Sequence, residues 1–102
     1  MSTAEQIKVI ARWQSASGAI GRVLSIIAEL RPKSLAEPGC LGYEVYMGVD
    51  TPGSLLLLES YRDKAALEAH RQSEHYQSLV VKRALPLLKD RRVEFLREQD
   101  LA

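Results

Sequence analysis

The sequence predicts an α+β domain with the element order β-α-β-β-α-β, the ferredoxin-like arrangement, in which a four-stranded antiparallel sheet carries its helices on one face. Three observations predict it. Residues 7–14 alternate Ile7, Val9, Ala11 and Trp13 with Lys8, Ile10 and Arg12, the period of a strand. Val23, Ile26, Ile27 and Leu30 recur at helical spacing. Residues 54–60 contain four consecutive leucines, so Leu55 and Leu57 point one way and Leu56 and Leu58 the other. A strand that is apolar on both faces needs cover on both. The helices of a 102-residue chain can cover one face, and a second copy of the chain is expected on the other.

The elements follow in order. After the first strand, Ser15, Ala16, Ser17 and Gly18 offer hydroxyls expected to cap a helix over residues 19–30. Pro32 disfavours helical geometry at Arg31, so residues 32–36 read as a distorted turn or loop, and Glu37-Pro38-Gly39 as a turn. Residues 40–49 form the second strand, with Leu41, Tyr43, Val45 and Met47 on one face and Gly42, Glu44, Tyr46 and Gly48 on the other. Asp50-Thr51-Pro52-Gly53 closes a hairpin to the leucine strand. Asp63 is placed to cap a short helix whose inward stripe is Ala66, Leu67 and His70. Ser73 is placed to cap a longer one carrying Tyr76, Leu79, Val80, Ala84 and Leu87, ended or kinked near Ala84 by Pro86. Residues 92–97, with Val93 and Phe95 on one face, make the last strand, and Lys89-Asp90-Arg91-Arg92 reads as a solvated turn. No linker, repeat or low-complexity stretch interrupts residues 1–102, which therefore read as a single domain.

Composition removes several function classes. A net charge of +1 gives no basic field for nucleic acid or an anionic membrane. No apolar run approaches the roughly 20 residues that span a bilayer. Residues 1–6 lack the basic region and apolar core of a secretory leader. The single cysteine, Cys40, cannot form an internal disulfide, which fits a reducing compartment, and a cytoplasmic location is expected. There is no zinc-type Cys/His spacing, phosphate-cradling glycine loop or dinucleotide fingerprint, so no metal and no cofactor is assigned.

Both histidines, Glu59 and two tyrosines gather at a single strand-to-helix junction, residues 59–76. Glu59 shares the parity of Leu57. A carboxylate on that apolar face must be paired with an arginine or with His70, or must edge a cavity as an acid or base with a raised pKa. His70 faces inward and is either a buried, hydrogen-bonded histidine at a helix end or a group that exchanges a proton with a substrate hydroxyl. His75, in the first turn of the next helix, is either solvent-facing or a general base. Glu59, His70 and His75 are thus the candidate catalytic residues. Tyr43, Tyr61, Tyr76 and Trp13 are the candidate substrate-binding residues; core or interface packing is the alternative for Tyr43 and cover of the sheet edge for Trp13, while Tyr61 and Tyr76 flank the junction. Two histidines five residues apart, with Glu59 as a conceivable third ligand, are a poor metal signature.

Two stretches carry a resemblance. Glu37-Pro38-Gly39-Cys40-Leu41-Gly42-Tyr43-Glu44-Val45-Tyr46 and the pattern Glu59-x-Tyr61-x-Asp63-x-x-Ala66-x-x-x-His70-x-x-Ser73-x-His75-Tyr76 resemble motifs of the antibiotic biosynthesis monooxygenase (ABM) family, in the right order and over nearly the whole chain. The resemblance implies a dimeric α+β barrel, a homodimer or higher oligomer in which two sheets pack face to face. It implies a cofactor-independent monooxygenase acting on a quinol, phenol or polyketide-type aromatic molecule. Two alternatives stand beside it. One is an isomerase of a small phosphorylated ketose-like signal molecule, since Glu59-x-Tyr61 and His75-Tyr76 are similar to that branch. The other is a non-catalytic ligand-binding dimer. Tyr61 stands where many members carry tryptophan. The haem-degrading branch has an asparagine on the first strand and a histidine near the positions of Leu79 and Val80, and this chain has neither.

Overall fold

The computed structural model describes residues 5–101; residues 1–4, on which most of the leader reading rests, lie outside the described part, as does residue 102. The elements are β1 (Ile7–Ser15), α1 (Ile20–Leu35), β2 (Cys40–Met47), β3 (Ser54–Tyr61), α2 (Lys64–Gln72), a π-wound helix α3 (Tyr76–Ala84), a 3-10 turn (Leu85–Leu87) and β4 (Leu88–Leu96). The sheet order is β2-β3-β1-β4, with every neighbouring pair antiparallel. This is the expected ferredoxin-like α+β fold.

Burial alternates along β1 and β3 as the sequence period requires. Ile7, Val9, Ala11 and Trp13 are buried on β1, and Leu55, Leu57, Glu59 and Tyr61 on β3. That face packs under α1 and α3, where Val23, Ile26, Ile27, Leu30, Leu79, Val80 and Ala84 join Ala11, Trp13, Tyr43, Leu55 and Leu57 in one core. The parity of the leucine strand follows: Leu55 and Leu57 belong to the helix-covered face. Leu56 and Leu58 lie half-buried on the helix-free face, beside Tyr46 and Ile10.

Several boundaries differ from the sequence expectation for identifiable reasons. Helix α1 runs through Pro32 to Leu35. Pro32 is exposed and forfeits one N–H bond, while Leu30 and Ser34 stay buried on the packed side. Packing outweighs the loss, and the Ala36 N–H closes the last turn on the Pro32 carbonyl at 3.1 Å. No serine caps α1; its N-cap is Ala19, and the Ser15 hydroxyl instead donates to the Ala16 carbonyl at 2.9 Å. In β2 the register slips between Cys40 and Gly42, so Leu41 leaves the face of Tyr43 and is half exposed, and the strand stops at Met47 rather than residue 49. Asp63 does cap α2, accepting the Ala66 N–H at 2.8 Å. Ser73 accepts the Tyr76 N–H at 3.2 Å and donates to the His70 carbonyl at 2.7 Å, so one hydroxyl ties α2 to α3.

The largest departure is at β4. Residues 89–92 are strand, not turn, with Asp90 opposite Gln14 and Arg91 opposite Trp13. An edge strand that is largely solvated carries charges in place of an apolar alternation, and those charges also discourage pairing with another chain. No helix among the described residues is long and apolar enough to cross a membrane.

Candidate active site

The site grows out of the β3–α2 junction. Strand parity puts Glu59 and Tyr61 on the same buried face, and the Tyr61 hydroxyl donates to Glu59 Oε1 at 2.6 Å. Helix α2, started by the Asp63 cap, turns His70 inward until it is 3% exposed, with its Nε2 3.7 Å from Glu59 Oε1. The other ring nitrogen, Nδ1, lies 2.8 Å from Glu37 Oε2, and the same oxygen lies 2.5 Å from His75 Nε2. Glu37 reaches this position because its turn lies directly on α2. A Cβ added at Gly39 would sit 2.3 Å from the Ala66 Cβ, so only glycine permits the approach.

A cavity of about 220 Å³ opens under the helices. Val9, Ala11 and Val93 supply its apolar floor, Trp13 adds to its wall, and Tyr43, Glu59, His70, Tyr76 and Arg91 are the polar residues that line it. Arg91 donates to the Tyr76 hydroxyl at 3.0 Å. At the rim, the Arg71 guanidinium lies 5.6 Å from the centre of the Phe95 ring, a cation–π contact. The buried Trp13 indole N–H has no hydrogen-bond partner.

Burial sets the protonation of the site. It pushes Glu59 up to about 7, against the Tyr61 hydrogen bond and the Arg91 charge, which favour the carboxylate, while the charge of Glu37 adds to the rise. Burial lowers His70, an effect the Glu37 hydrogen bond partly opposes. Both directions favour a protonated carboxyl facing a neutral imidazole. Burial, then the nearby Glu59 charge, raise Tyr61 and Tyr43, so both phenols stay protonated. Glu59 is therefore a cavity group able to take or give a proton near neutral pH.

Of the residues predicted for the site, Glu59, His70, Tyr43, Tyr76 and Trp13 line the cavity. Tyr61 stands behind Glu59 and is fully buried. His75 stands behind Glu37, on a separate surface depression. Two residues were missed. Glu37, read as part of a turn, is the group that joins the two histidines; its place in the same ten-residue stretch as Tyr43 was the available signal. Arg91, read as a solvated turn, is opposite Trp13 on the neighbouring strand.

Among the described residues, Glu37, His70 and His75 bring three potential metal-ligand side chains together, with the relevant atoms within 4.8 Å of one another; the third partner of the histidines is Glu37 rather than Glu59. Two ligands on one tetrahedral ion, at bonds of about 2.0–2.1 Å, stand about 3.4 Å apart. The oxygen–nitrogen separations here are 2.5 and 2.8 Å, the spacing of groups that share a hydrogen. In this arrangement Glu37 Oε2 stands within hydrogen-bond reach of both rings.

The profile described as antibiotic biosynthesis monooxygenase matches residues 6–82, from β1 into α3. The chain belongs to the antibiotic biosynthesis monooxygenase family. Rv0793 of Mycobacterium tuberculosis is 36% identical to it over 70 residues, 69% of this chain and 68% of that protein. The solved structure of Rv0793 superposes with a TM-score of 0.86 at 32% identity, covering 95% of this chain and 98% of that one. A crystal structure of an antibiotic biosynthesis monooxygenase does so with a TM-score of 0.86 at 32% identity, covering 92% and 99%. A conserved protein of Methanosarcina mazei, 24% identical with a TM-score of 0.88 over 95% of this chain and 96% of that one, shares the fold. The span matched to the ABM profile contains Glu37, Glu59, His70 and His75 and ends before β4, and so before Arg91.

Proposed function

We propose that this ABM protein is a cofactor-independent monooxygenase of a small phenol, quinol or anthrone-type molecule. The observation that carries the reading is Glu59: a carboxyl with a pKa of about 7 beside a buried neutral imidazole, on the wall of a cavity with an apolar floor. An acidic C–H or O–H of the substrate gives its proton to the Glu59 carboxylate. The electron-rich anion passes one electron to dioxygen, and the two radicals combine to a peroxide anion on a ring carbon that still bears hydrogen. Return of the proton gives the hydroperoxide; its O–O bond and the remaining C–H bond then break, expelling water and leaving a carbonyl, so one substrate and one dioxygen give one quinone-type product and one water. The protein supplies a water-poor site, the proton acceptor and donors for the anion. The Arg91–Tyr76 pair is suited to that last task. A cavity near 220 Å³ lies below the roughly 300–1,000 Å³ of drug-sized sites, which favours one to three fused rings over a large polyketide.

Oxygen uptake with menadiol or anthrone tests this. A rate above the buffer blank that collapses in Glu59→Gln supports it; a rate equal to the blank with every such substrate removes it.

A second reading has one observation in its favour. Arg71 and Arg91 both border the cavity, and a phosphorylated ketose needs such cations. Enolisation by Glu59 and His70 would consume no oxygen, so turnover of a sugar phosphate without oxygen uptake selects it. In either case the helix-free face, with Leu56, Leu58 and Tyr46, is the surface on which a second copy would pack.

A further inference from the structure

His70 meets a different partner at each ring nitrogen. Nε2 faces Glu59 across 3.7 Å at the cavity wall, and Nδ1 lies 2.8 Å from Glu37 Oε2. That oxygen in turn lies 2.5 Å from Nε2 of His75. His75 borders a second depression, of about 180 Å³, together with the exposed Glu29, Lys33 and Glu74. Four titratable groups from β3, α2, the turn before β2 and the start of α3 thus stand in line from the cavity wall to solvent.

The line is more than a tether. Anchoring the Glu37 turn to the helices needs one hydrogen bond. Here one oxygen serves two imidazoles, and each member of the row can both accept and release a proton. A neutral imidazole passes a proton by taking it at one nitrogen and releasing it from the other. Resting on the reading of the cavity as a place where a substrate proton leaves, we infer that His70, Glu37 and His75 form a proton-exchange path connecting Glu59 to bulk water at the α2–α3 junction.

The steps balance without any redox partner. The substrate bond to hydrogen breaks as Glu59 takes the proton, and Glu59 gives it to Nε2 of His70. The Nδ1 proton of His70 moves to Glu37 Oε2, then to Nε2 of His75, which gives it to water. Tautomer exchange resets the rings, and the reverse sequence returns a proton. The 3.7 Å gap exceeds hydrogen-bond reach, and a side-chain shift of about 0.5 Å closes it. The groups facing His70 are Glu37, Glu59, Tyr43, Tyr61, His75 and Tyr76, with Arg91 beyond Tyr76; those beside His75 are Glu37, Glu29, Lys33 and Glu74.

The test has two readouts. Nitrogen-15 NMR of the imidazoles across pH should show Nδ1 of His70 and Nε2 of His75 responding to one shared titration in the full native chain, and separate titrations in Glu37→Gln. Independent titrations in the native protein overturn the path. Under nitrogen gas, the protein should speed deuterium wash-in from heavy water at the acidic carbon of anthrone. His75→Ala, a mild change at a partly exposed side chain, should slow wash-in on the order of 10-fold in dilute buffer, with recovery on adding imidazole. A His75→Ala rate equal to the native one, or a loss that imidazole does not restore, also overturns the path. Absent oxygen uptake with intact shared titration removes the monooxygenase reading and leaves the path standing.

Discussion

The hydroxyl of Tyr61 donates to Oε1 of Glu59 at 2.6 Å, two residues further along the same strand face. The bond favours the ionised carboxylate and works against the burial that raises its pKa. Tyr61→Phe should therefore push the Glu59 titration above about 7. Carbon-13 NMR of the glutamate carboxyls checks this; an unchanged or lowered midpoint contradicts it.

The raised pKa of Glu59 is also a statement about stability. The folded state holds its proton up to about 7, whereas the unfolded chain releases it near 4.5. The folded protein thus binds more protons across that window, and the stabilisation from Glu59 is complete below it and lost as pH rises through it. The loss amounts to roughly 3 kcal/mol. His70 acts with the opposite sign: its lowered pKa means that the unfolded chain binds more protons as pH falls below 6.5, so its contribution is lost towards acid. Urea unfolding at stepped pH should show a Glu59→Gln variant without the decline between 4.5 and about 7, while the native decline persists in His75→Ala.

His70 stands between the cavity carboxyl and Glu37, so its loss should cost turnover more than binding. His70→Ala is expected to lower kcat for the oxidised substrate by about 10²-fold or more, the usual size of a positioned proton-transfer group. His70→Gln, which can still hydrogen-bond Glu37, should regain stability without regaining rate. Recovery of rate by glutamine would assign His70 a packing role alone.

The two parities of the leucine strand give opposite expectations. Leu57 is fully buried beneath the helices, and Leu57→Asp should abolish folding. Leu58 is half-buried on the helix-free face, opposite Ile10 on β1 and Glu44 on β2. Leu58→Asp should leave a folded chain whose sedimentation drops from twice the chain mass to the chain mass. A native protein that sediments at the chain mass removes the second-copy reading.

Gly39→Ala tests how Glu37 is held. The added carbon meets Ala66 on α2 at 2.3 Å, so the turn must lift. The expected cost is about 1–3 kcal/mol, accompanied by loss of the shared imidazole titration. The double change Gly39→Ala with Ala66→Gly should recover much of both.

The strands and the inward stripes of the helices were legible because each depends on a short period: Trp13, Leu57 and His70 all fall where counting places them. The limits lie where tertiary contact overrides a local rule. Pro32 signals an end to α1, but Leu30 and Ser34 have packed places that carry the helix past it. The strand at residues 89–92 shows no apolar alternation, because an edge strand can be solvated along its length, and Arg91 was hidden with it. Within the site, Glu59 was legible as a carboxylate on an apolar face. Glu37 was not, since its partners His70 and His75 lie 33 and 38 residues away and no local pattern reports a contact across the sheet edge and two helices.

The chain has one tryptophan, and Trp13 forms part of the cavity wall. Its emission consequently reports on this compartment with no second indole to dilute the signal. An aromatic guest settling against the ring would quench it, and the unmodified protein carries its own optical gauge of occupancy.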